Sequence, residues 1–389
     1  YKPGAILHNL GQLVSSINRI DKLNKYITTP RQVYYFVALT GVILGFISFG
    51  WVVITCVLAR ELALRVKGVN YPFLIACVYF ASGSWVTGLS SSIPLLLGTK
   101  SNYLINAGIL NETIPTTYTL GTPLNLAMIV LYLIFAPLLI LFLIPKNKNI
   151  KELNDMLESK TDTNELSIKE EASSLNLSYN SISDRLNNGV LLQIIIVLMG
   201  LTYIIFHFYT EGFNLNFNIM IFIFIIAGLA LHKTPMRYVI AMKRSSGNIS
   251  GILYQYPFYA GIMGIMLYTG LGEKLAQVMS SVATLDSYAF FAYITGGLVN
   301  FAIPSAGGEF AVVGPSLINA IKDIGTGLPA EEISAMISRA SLSVAYGESL
   351  TNLLQPFFLL LVFPIMEAGI KIQARDVMGY LVIPFLIFF

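Results

Sequence analysis

Two acidic residues are conspicuous because each lies within an otherwise apolar part of the chain. Glu309 follows Ser305, Gly307 and Gly308 in a Pro-Ser-Ala-Gly-Gly-Glu stretch, and Glu348 follows another glycine. An ionisable group at the centre of a bilayer costs at least about 2.5 kcal/mol, and such a group usually marks a pathway for ions or substrate. We expect these carboxyl groups to carry a proton or bind a cation. The alternative is that each one reaches water at the tip of a hairpin.

Neutral hydrogen-bonding side chains interrupt apolar segments at the same and other places. Hydroxyl and amide groups suit a carboxylate, and the carbonyl groups of an unwound helix suit a sodium ion. The candidate ligands of a small carboxylate and a cation are Ser90, Ser91, Ser92, Thr122, Asn125, Ser305, Gly307, Gly308, Glu309, Glu348, Thr351 and Asn352. Four of them are predicted to face one cavity near the membrane midplane, within about 20 Å of one another: Ser91, Asn125, Ser305 and Asn352.

The composition shows which elements must position these residues. Of the 389 residues, 55% are hydrophobic and only 12% are charged, whereas a soluble domain has roughly 25% charged residues. The chain is therefore predicted to be a polytopic membrane protein in contact with the lipid bilayer. It has no basic face for a nucleic acid, and Cys56 and Cys77 lie in apolar runs, where a thiol usually acts as a small hydrophobic side chain.

Apolar runs of membrane-spanning length predict the helices. A crossing needs about 20 apolar residues, and continuous runs occur at 33–58, 124–144, 190–208, 217–231 (rather short) and 250–271. Three further apolar segments are interrupted by Gly, Pro, Ser or Asn, at 71–97, 288–321 and 333–365. Unwound backbone within a membrane must be buried in protein or line an aqueous cavity. The breaks therefore predict a binding site, although small residues can also serve helix packing alone.

The arrangement of these segments predicts two repeats joined by a linker. Residues 145–188 are rich in Asn, Ser, Glu and Lys and are predicted to form a polar linker, placed in the cytoplasm by its Lys and Arg residues. Residues 1–144 form the first transmembrane repeat, expected to lack its N-terminal part, and residues 189–389 form the second, expected to lack its C-terminal part. Residues 121–126 are matched with 347–353, and 71–73 with 288–290. The predicted fold is an all-α polytopic membrane protein with two inverted-type repeats, each containing an interrupted hairpin and an unwound helix.

Four stretches of the sequence resemble the bacterial short-chain fatty acid transporter family, of the acetoacetate and butyrate carrier type, within the ion transporter superfamily. They are FASGSWVTGLSSSIPL (80–95), ISGILYQYPFYAGIMGIM (249–266), NFAIPSAGGEFAVVGP (300–315) and GESLTNLLQPFF (347–358). The resemblance implies a secondary active transporter of small monocarboxylates in the bacterial inner membrane. It further implies alternating access, symport with protons or sodium ions, no cofactor and assembly as a homodimer.

The resemblance also implies which segments surround the substrate. The first hairpin tip would be 88–94, the first unwound helix 121–125, the second tip 304–308, and the second unwound helix 347–352 together with Gln355. The chain departs from the family pattern in two places. It has Glu309-Phe310 where Gln-Trp is expected, and Gly347-Glu348-Ser349-Leu350 where Gly-Asp-x-Trp is expected. These departures leave the substrate and the coupling ion open.

Three other functions were considered. A carrier of another organic anion, such as a dicarboxylate, is the main alternative, and a basic residue in the cavity, for which Arg339 is the candidate, would favour it. An intramembrane enzyme is disfavoured because the sequence has no H-E-x-x-H or G-x-S-x-G motif and no His beside the serine-rich stretch. A channel is disfavoured because no repeated pore-lining motif is present.

Overall fold

The computed structural model describes residues 25–146, 150–157, 168–175, 181–246 and 268–389, and positions 254, 257, 258, 260–262, 264 and 265. Every regular element in these residues is helical, which confirms the predicted all-α class. Parts of the predicted helix at 250–271, of the motif at 249–266 and of the predicted linker at 145–188 lie outside the described residues.

Within its described residues, the first part of the chain forms seven helices, and short helices follow in the described parts of the predicted linker. The helices are α1 Pro30–Ile47, α2 Val52–Arg65, α3 Tyr71–Ser82, α4 Ser92–Leu97, α5 Tyr103–Asn106, α6 Pro123–Val130 and α7 Ala136–Phe142, then α8 Leu153–Met156, α9 Ile168–Ser174 and α10 Ile182–Asn188. Short 3-10 turns occupy Phe49–Trp51, Gly83–Thr87 and Thr116–Tyr118, and a π-helical turn at Leu131–Phe135 joins α6 to α7.

The second part supplies ten described helices. They are α11 Val190–Glu211, α12 Phe217–His232, α13 Pro235–Ser246, α14 Leu271–Val282, α15 Tyr288–Val299, α16 Ala306–Ile324, α17 Ala330–Thr351, α18 Leu359–Met366, α19 Ala374–Met378 and α20 Val382–Phe388. Further 3-10 turns lie at Asn352–Leu354 and Gly379–Leu381.

Several of these helical segments can cross a membrane. Within the described residues, four are long and apolar enough: Pro30–Ile47, Tyr71–Leu97, Pro123–Phe142 and Val190–Glu211. A fifth is obtained if α12 and α13, which are bent by 120° at their junction, count as one broken span. The structure therefore has the apolar helices expected of a multi-pass membrane protein.

The chain reverses direction at Ser48, within the segment 33–58 that was predicted as one helix, so that prediction is wrong. Ser48 has an extended backbone between α1 and α2. Gly41 on α1 and Thr55 on α2 lie on opposite sides of the reversal. A Cβ added to Gly41 would lie 3.2 Å from the Thr55 methyl group, as expected for an antiparallel hairpin. The turn is held by a contact from elsewhere in the chain, because the backbone N–H of Leu89 donates to the carbonyl of Phe46 at 2.8 Å.

Helices α15 and α17 pack together closely through glycines. A Cβ on Gly347 would lie 2.0 Å from the Tyr293 carbonyl oxygen, and one on Gly296 would lie 2.4 Å from the Val344 carbonyl oxygen. Gly347 therefore serves helix contact and does not unwind α17, which continues to Thr351. The break predicted at 346–352 begins only at the 3-10 turn Asn352–Leu354.

The predicted unwound helix at 121–125 is also wrong. Thr122 is the extended N-cap of α6, its hydroxyl accepts from the backbone N–H of Asn125 at 3.3 Å, and Pro123 occupies the first helical position. A cap with proline at this position is a helix start. By contrast, the interruption predicted within 71–97 is confirmed, since α3 ends at Ser82 and α4 begins at Ser92.

The C-terminal helices pack against the first part of the chain. The hydroxyl of Tyr71 donates to the carbonyl of Met366 at 2.8 Å, and Arg60 donates to the same carbonyl at 3.0 Å. The rings of Phe80 and Phe388 meet edge to face with centroids 5.1 Å apart. These contacts join the two halves into one hydrophobic core.

Candidate functional site

A cavity of about 420 Å³ lies where the first hairpin and the breaks of both halves meet. Its walls come from the Ser48 turn, the interrupted segment at 83–92, the start of α16 and the chain before α18. The lining residues are Ser48, Phe49, Trp85, Ser90, Ser92, Phe217, Ser305, Ala306, Gly307, Phe357, Phe358 and Leu361.

The cavity has a polar part formed by backbone and hydroxyl groups. Ser305 is the extended N-cap of α16 and makes no side-chain hydrogen bond to its own helix. A Cβ on Gly307 would meet nothing within 4 Å, so this residue faces open space. The first backbone N–H groups of a helix lack intrahelical acceptors and favour a negative charge. This end of the cavity therefore suits a carboxylate.

The remaining lining is aromatic and aliphatic. The rings of Phe49 and Trp85 lie 5.0 Å apart between centroids, and Phe49 contacts Phe358 at the same distance. Ser90 is held beside them, because its hydroxyl accepts from the backbone N–H of Phe49 at 3.0 Å. A pocket of this kind can take a small molecule with an apolar body and one polar end.

The predicted ligands are divided between this cavity and buried contacts. Ser90, Ser92, Ser305 and Gly307 line it. Of the four residues expected to share one cavity, only Ser305 is in this lining, while the others, Ser91, Asn125 and Asn352, are buried. Thr122 caps α6, and Gly308 is buried in the first turn of α16.

Asn125 connects the first break to α17. Its side-chain amide donates to the carbonyl groups of Thr87 and Leu120, each at 3.0 Å. Its side-chain oxygen accepts from the hydroxyl of Tyr346 at 2.8 Å. A few residues along α17, the hydroxyl of Ser349 donates to the carbonyl of Gly83 at 2.8 Å. Asn125 thus holds the first break, at 83–91, against α17. It is not among the residues that line the cavity.

The other predicted amides form a second network around Asn300. The amide nitrogen of Asn300 contacts the Thr351 hydroxyl at 2.8 Å, and the Asn352 side-chain oxygen and the Glu348 carbonyl at 3.1 Å. Gln355 donates to the same Asn352 oxygen at 2.8 Å and to the carbonyl of Asn300 at 3.1 Å. This network ties the tip before α16 to the break after α17.

Both predicted acids are buried at this junction. Glu309 and Glu348 are each 0% exposed. Glu348 Oε1 accepts from the amide of Asn352 at 3.2 Å, whereas its Oε2 and both carboxyl oxygens of Glu309 have no hydrogen-bond partner. In contrast, Arg339 is exposed on α17, beside Tyr288, and does not line the cavity.

Several residues of this site are not evident from the sequence. Asn300 begins the motif at 300–315, and its signal is weak: it is the one amide in the apolar run 288–303. Phe49 and Trp85 line the cavity, but as aromatic residues in apolar segments they are not distinguished from core residues by the sequence. The hexapeptide Gly-Ser-Trp-Val-Thr-Gly (83–88) in the first break is similar to Gly-Glu-Ser-Leu-Thr-Asn (347–352), which ends at the break after α17.

Comparisons with known proteins identify the family of this chain. The short chain fatty acid transporter family matches residues 4–389. A relative from Escherichia coli, named as a proposed short-chain fatty acid transporter, is 33% identical over 354 residues, which are 90% of this chain and 75% of the relative. A relative of the same name from Haemophilus influenzae is 31% identical over 358 residues, again 90% of this chain and 75% of the relative.

A solved structure shares the fold. The YdaH transporter of Alcanivorax borkumensis, described as having an unusual topology, superposes with a TM-score of 0.54 at 16% identity. The match covers 99% of this chain and 80% of that one. At this identity the match concerns architecture alone. Since the family model matches almost the entire chain and the relatives are transporters and not enzymes, the protein belongs to the short-chain fatty acid transporter family.

Proposed function

We propose that this protein is a secondary active transporter that carries short-chain monocarboxylates across the bacterial inner membrane by alternating access, with a proton or a sodium ion as the coupling ion. The observation that carries the proposal is the cavity whose lining combines the hydroxyl groups of Ser90, Ser92 and Ser305 with several aromatic side chains. Such a division matches a molecule with one carboxylate and a short alkyl chain.

The substrate would bind with its carboxylate at the start of α16. There the Ser305 hydroxyl and the backbone at Gly307 supply donors. The alkyl chain would lie against Trp85, Phe49 and Phe358, whose burial by an apolar group is favourable by about 25 cal/mol for each Å². The volume of about 420 Å³ is near the lower end for ligand pockets and suits a small substrate.

A dicarboxylate is not favoured. A second carboxylate needs a second cationic or strongly donating group, because burying an unpaired charge is costly. No Lys or Arg is among the described residues that line this cavity. The basic residue proposed for that role, Arg339, is exposed on the surface of α17.

Alternating access requires two elements that move against each other around the site. We assign the first hairpin tip to Ser48–Trp51 and the first unwound segment to 88–91, in place of the earlier assignments. Their counterparts are 300–305 and 352–358, and the similar hexapeptides at 83–88 and 347–352 support this pairing. The repeats, the cytoplasmic side of the linker 145–188 and the homodimer remain predictions.

The test is uptake of labelled butyrate by proteoliposomes containing the full-length protein. Uncharged butyric acid crosses bare lipid, so rates from protein-free liposomes are subtracted. We expect saturable uptake that excess unlabelled propionate inhibits and succinate does not. Ser305→Ala should reduce uptake about tenfold, as expected for a lost hydrogen bond to a charged group, and Ser101→Ala, an exposed control, should not. Uptake of succinate alone, or of neither acid, would contradict the proposal.

A further inference from the structure

A cluster of buried oxygen atoms beside the cavity lacks hydrogen-bond donors. The atoms are both carboxyl oxygens of Glu309, Oε2 of Glu348 and the side-chain oxygen of Asn300. All three residues are 0% exposed, and all four atoms are acceptors. A buried carboxylate without a donor or a positive charge costs several kcal/mol. The cluster therefore requires a positively charged ligand, either a proton or a metal cation.

The three side chains form one site, although they come from different elements. Asn300 lies on the tip before α16, Glu309 in the first turn of α16, and Glu348 near the end of α17. The Asn300 amide nitrogen contacts the Glu348 carbonyl at 3.1 Å, and the two carboxyl groups interact electrostatically. Two carboxylates that interact in a dry interior cannot both be ionised at little cost, and such pairs share a proton.

The donors near the pair are distributed unevenly. Glu348 receives the amide of Asn352 at 3.2 Å and faces the backbone N–H of Ala306. Glu309 receives none. Hydrogen bonds to a carboxylate stabilise its ionised form, so Glu348 releases a proton more readily than Glu309 does. Glu309 is therefore the member better suited to take up and hold the proton. Donor hydrogens directed at Glu348 also disfavour a metal cation there.

The other ionisable groups on packed elements do not neutralise the pair. Among the described side chains, Lys274 and Arg339 are exposed, and Lys322 donates to the carbonyl of Ile109. The hydroxyls of Tyr79 and Tyr346 bond to the Asn352 carbonyl and to Asn125. The remaining ionisable side chains that the structure describes on these elements, or in contact with them, are Tyr118, Tyr132, Tyr288, Tyr293, Asp323, Glu331 and Glu332.

We propose that Glu309 and Glu348 form a carboxyl pair that binds and releases one transported proton, and that this proton drives monocarboxylate uptake. The proposal rests on the proposed transport function and names its coupling ion. A proton from water on the open side forms an O–H bond with Glu309, and that bond breaks when the site opens to water on the other side. No bond of the substrate changes. One proton balances the charge of one monocarboxylate, so their joint movement is electroneutral.

The position of Glu309 explains how proton binding is linked to binding of the substrate anion. Ser305 and Gly307, which face the cavity, lie within the four residues before Glu309 on the same turn. An ionised Glu309 would repel a carboxylate at the start of α16, and a protonated one would not. Proton binding and anion binding at this turn therefore favour each other.

The test separates coupling from transport. Butyrate exchange at equal pH on both sides, and uptake driven by a proton or a sodium gradient, are measured for the full-length wild type and for Glu309→Gln, which resembles the protonated acid. Glu332→Gln, an exposed change on α17, is the matched control. We expect proton-driven uptake by the wild type and no response to sodium. In Glu309→Gln, exchange should be retained, while the gradient-driven rate above protein-free liposomes falls at least about tenfold.

The other outcomes of these measurements distinguish failure of the coupling site from failure of the transport function. If Glu309→Gln responds to the proton gradient as the wild type does, or if sodium alone drives uptake, the carboxyl pair is not the coupling site, although the transport function stands. If the wild type exchanges no monocarboxylate, the transport function fails. If Glu309→Gln does not fold, or folds but exchanges no butyrate, proton uptake by purified wild-type protein on butyrate binding decides the question. A change in external pH with butyrate supports the pair, and its absence overturns it.

Discussion

Replacement of Gly88 by alanine should disrupt the contact between the first break and the Ser48 turn. A Cβ at this position would lie 2.1 Å from the carbonyl oxygen of Phe46 and 2.7 Å from its carbonyl carbon and Cα. Ordinary contact begins at 3.4 Å, so the backbone at Phe46 must retreat by about 1.3 Å. Because the obstacle is backbone, no side-chain rotation relieves the clash.

The size of the effect follows from the hydrogen bonds at this contact. The backbone N–H of Leu89 donates to Phe46 at 2.8 Å, and Ser90 accepts from Phe49 at 3.0 Å. A retreat of this size breaks the first bond and weakens the second. A buried donor left without a partner costs about 1 to 3 kcal/mol, which lowers the population of the intact cavity about 5- to 150-fold.

Butyrate uptake and the thermal midpoint in detergent measure this effect. Gly379→Ala is the matched control, because its Cβ would meet nothing within 4 Å and Gly379 does not line the cavity. We expect Gly88→Ala to lose most uptake and to unfold at a lower temperature, whereas Gly379→Ala behaves as the wild type does in both measurements. The reasoning is refuted if Gly88→Ala transports butyrate at the wild-type rate with an unchanged midpoint.

Two further changes test other parts of the structure. Asn352→Ala should reduce butyrate uptake by at least about tenfold, because Glu348 loses its amide donor and Gln355 loses its acceptor. Uptake with wild-type kinetics would show that the contacts of Asn352 are dispensable for transport. Arg60→Leu should lower the free energy of unfolding by about 1.5 to 3 kcal/mol, because it removes the charged hydrogen bond to Met366. Arg65→Leu, which removes a partly exposed ion pair with Glu61, should cost less than about 1 kcal/mol, and equal losses in the two variants would argue against the Arg60 contact.

The sequence predicts the helical membrane class because long apolar runs leave few other structures possible. It also predicts the break within 71–97, where Gly, Ser and Pro weaken the helix locally. The reversal at Ser48 was missed because its stabilising partners, Leu89 and Ser90, are distant in sequence. Gly347 was misread as a breaker because the same residue type serves the close approach to Tyr293.

In the candidate site, as in the fold, features set by local sequence could be predicted, whereas features set by tertiary packing could not. Glu309 and Glu348 could be selected from the sequence because acids in apolar runs are rare, and both prove to be buried. Their placement in one cluster with Asn300 depends on how the tip before α16 packs on α17, which no local pattern specifies. The aromatic lining from Phe49 and Trp85 likewise results from packing between separate elements.

Intrinsic fluorescence gives the most direct test of the cavity, because the chain has only two tryptophans. Trp85 lines the cavity and Trp51 does not, so the variants Trp51→Phe and Trp85→Phe separate their signals. Butyrate titrated into the purified full-length protein should produce a saturable fluorescence change that persists in Trp51→Phe and disappears in Trp85→Phe, and succinate should not produce it. A wild-type protein that shows no saturable change, or a change that survives in Trp85→Phe, would contradict binding of the monocarboxylate in this cavity.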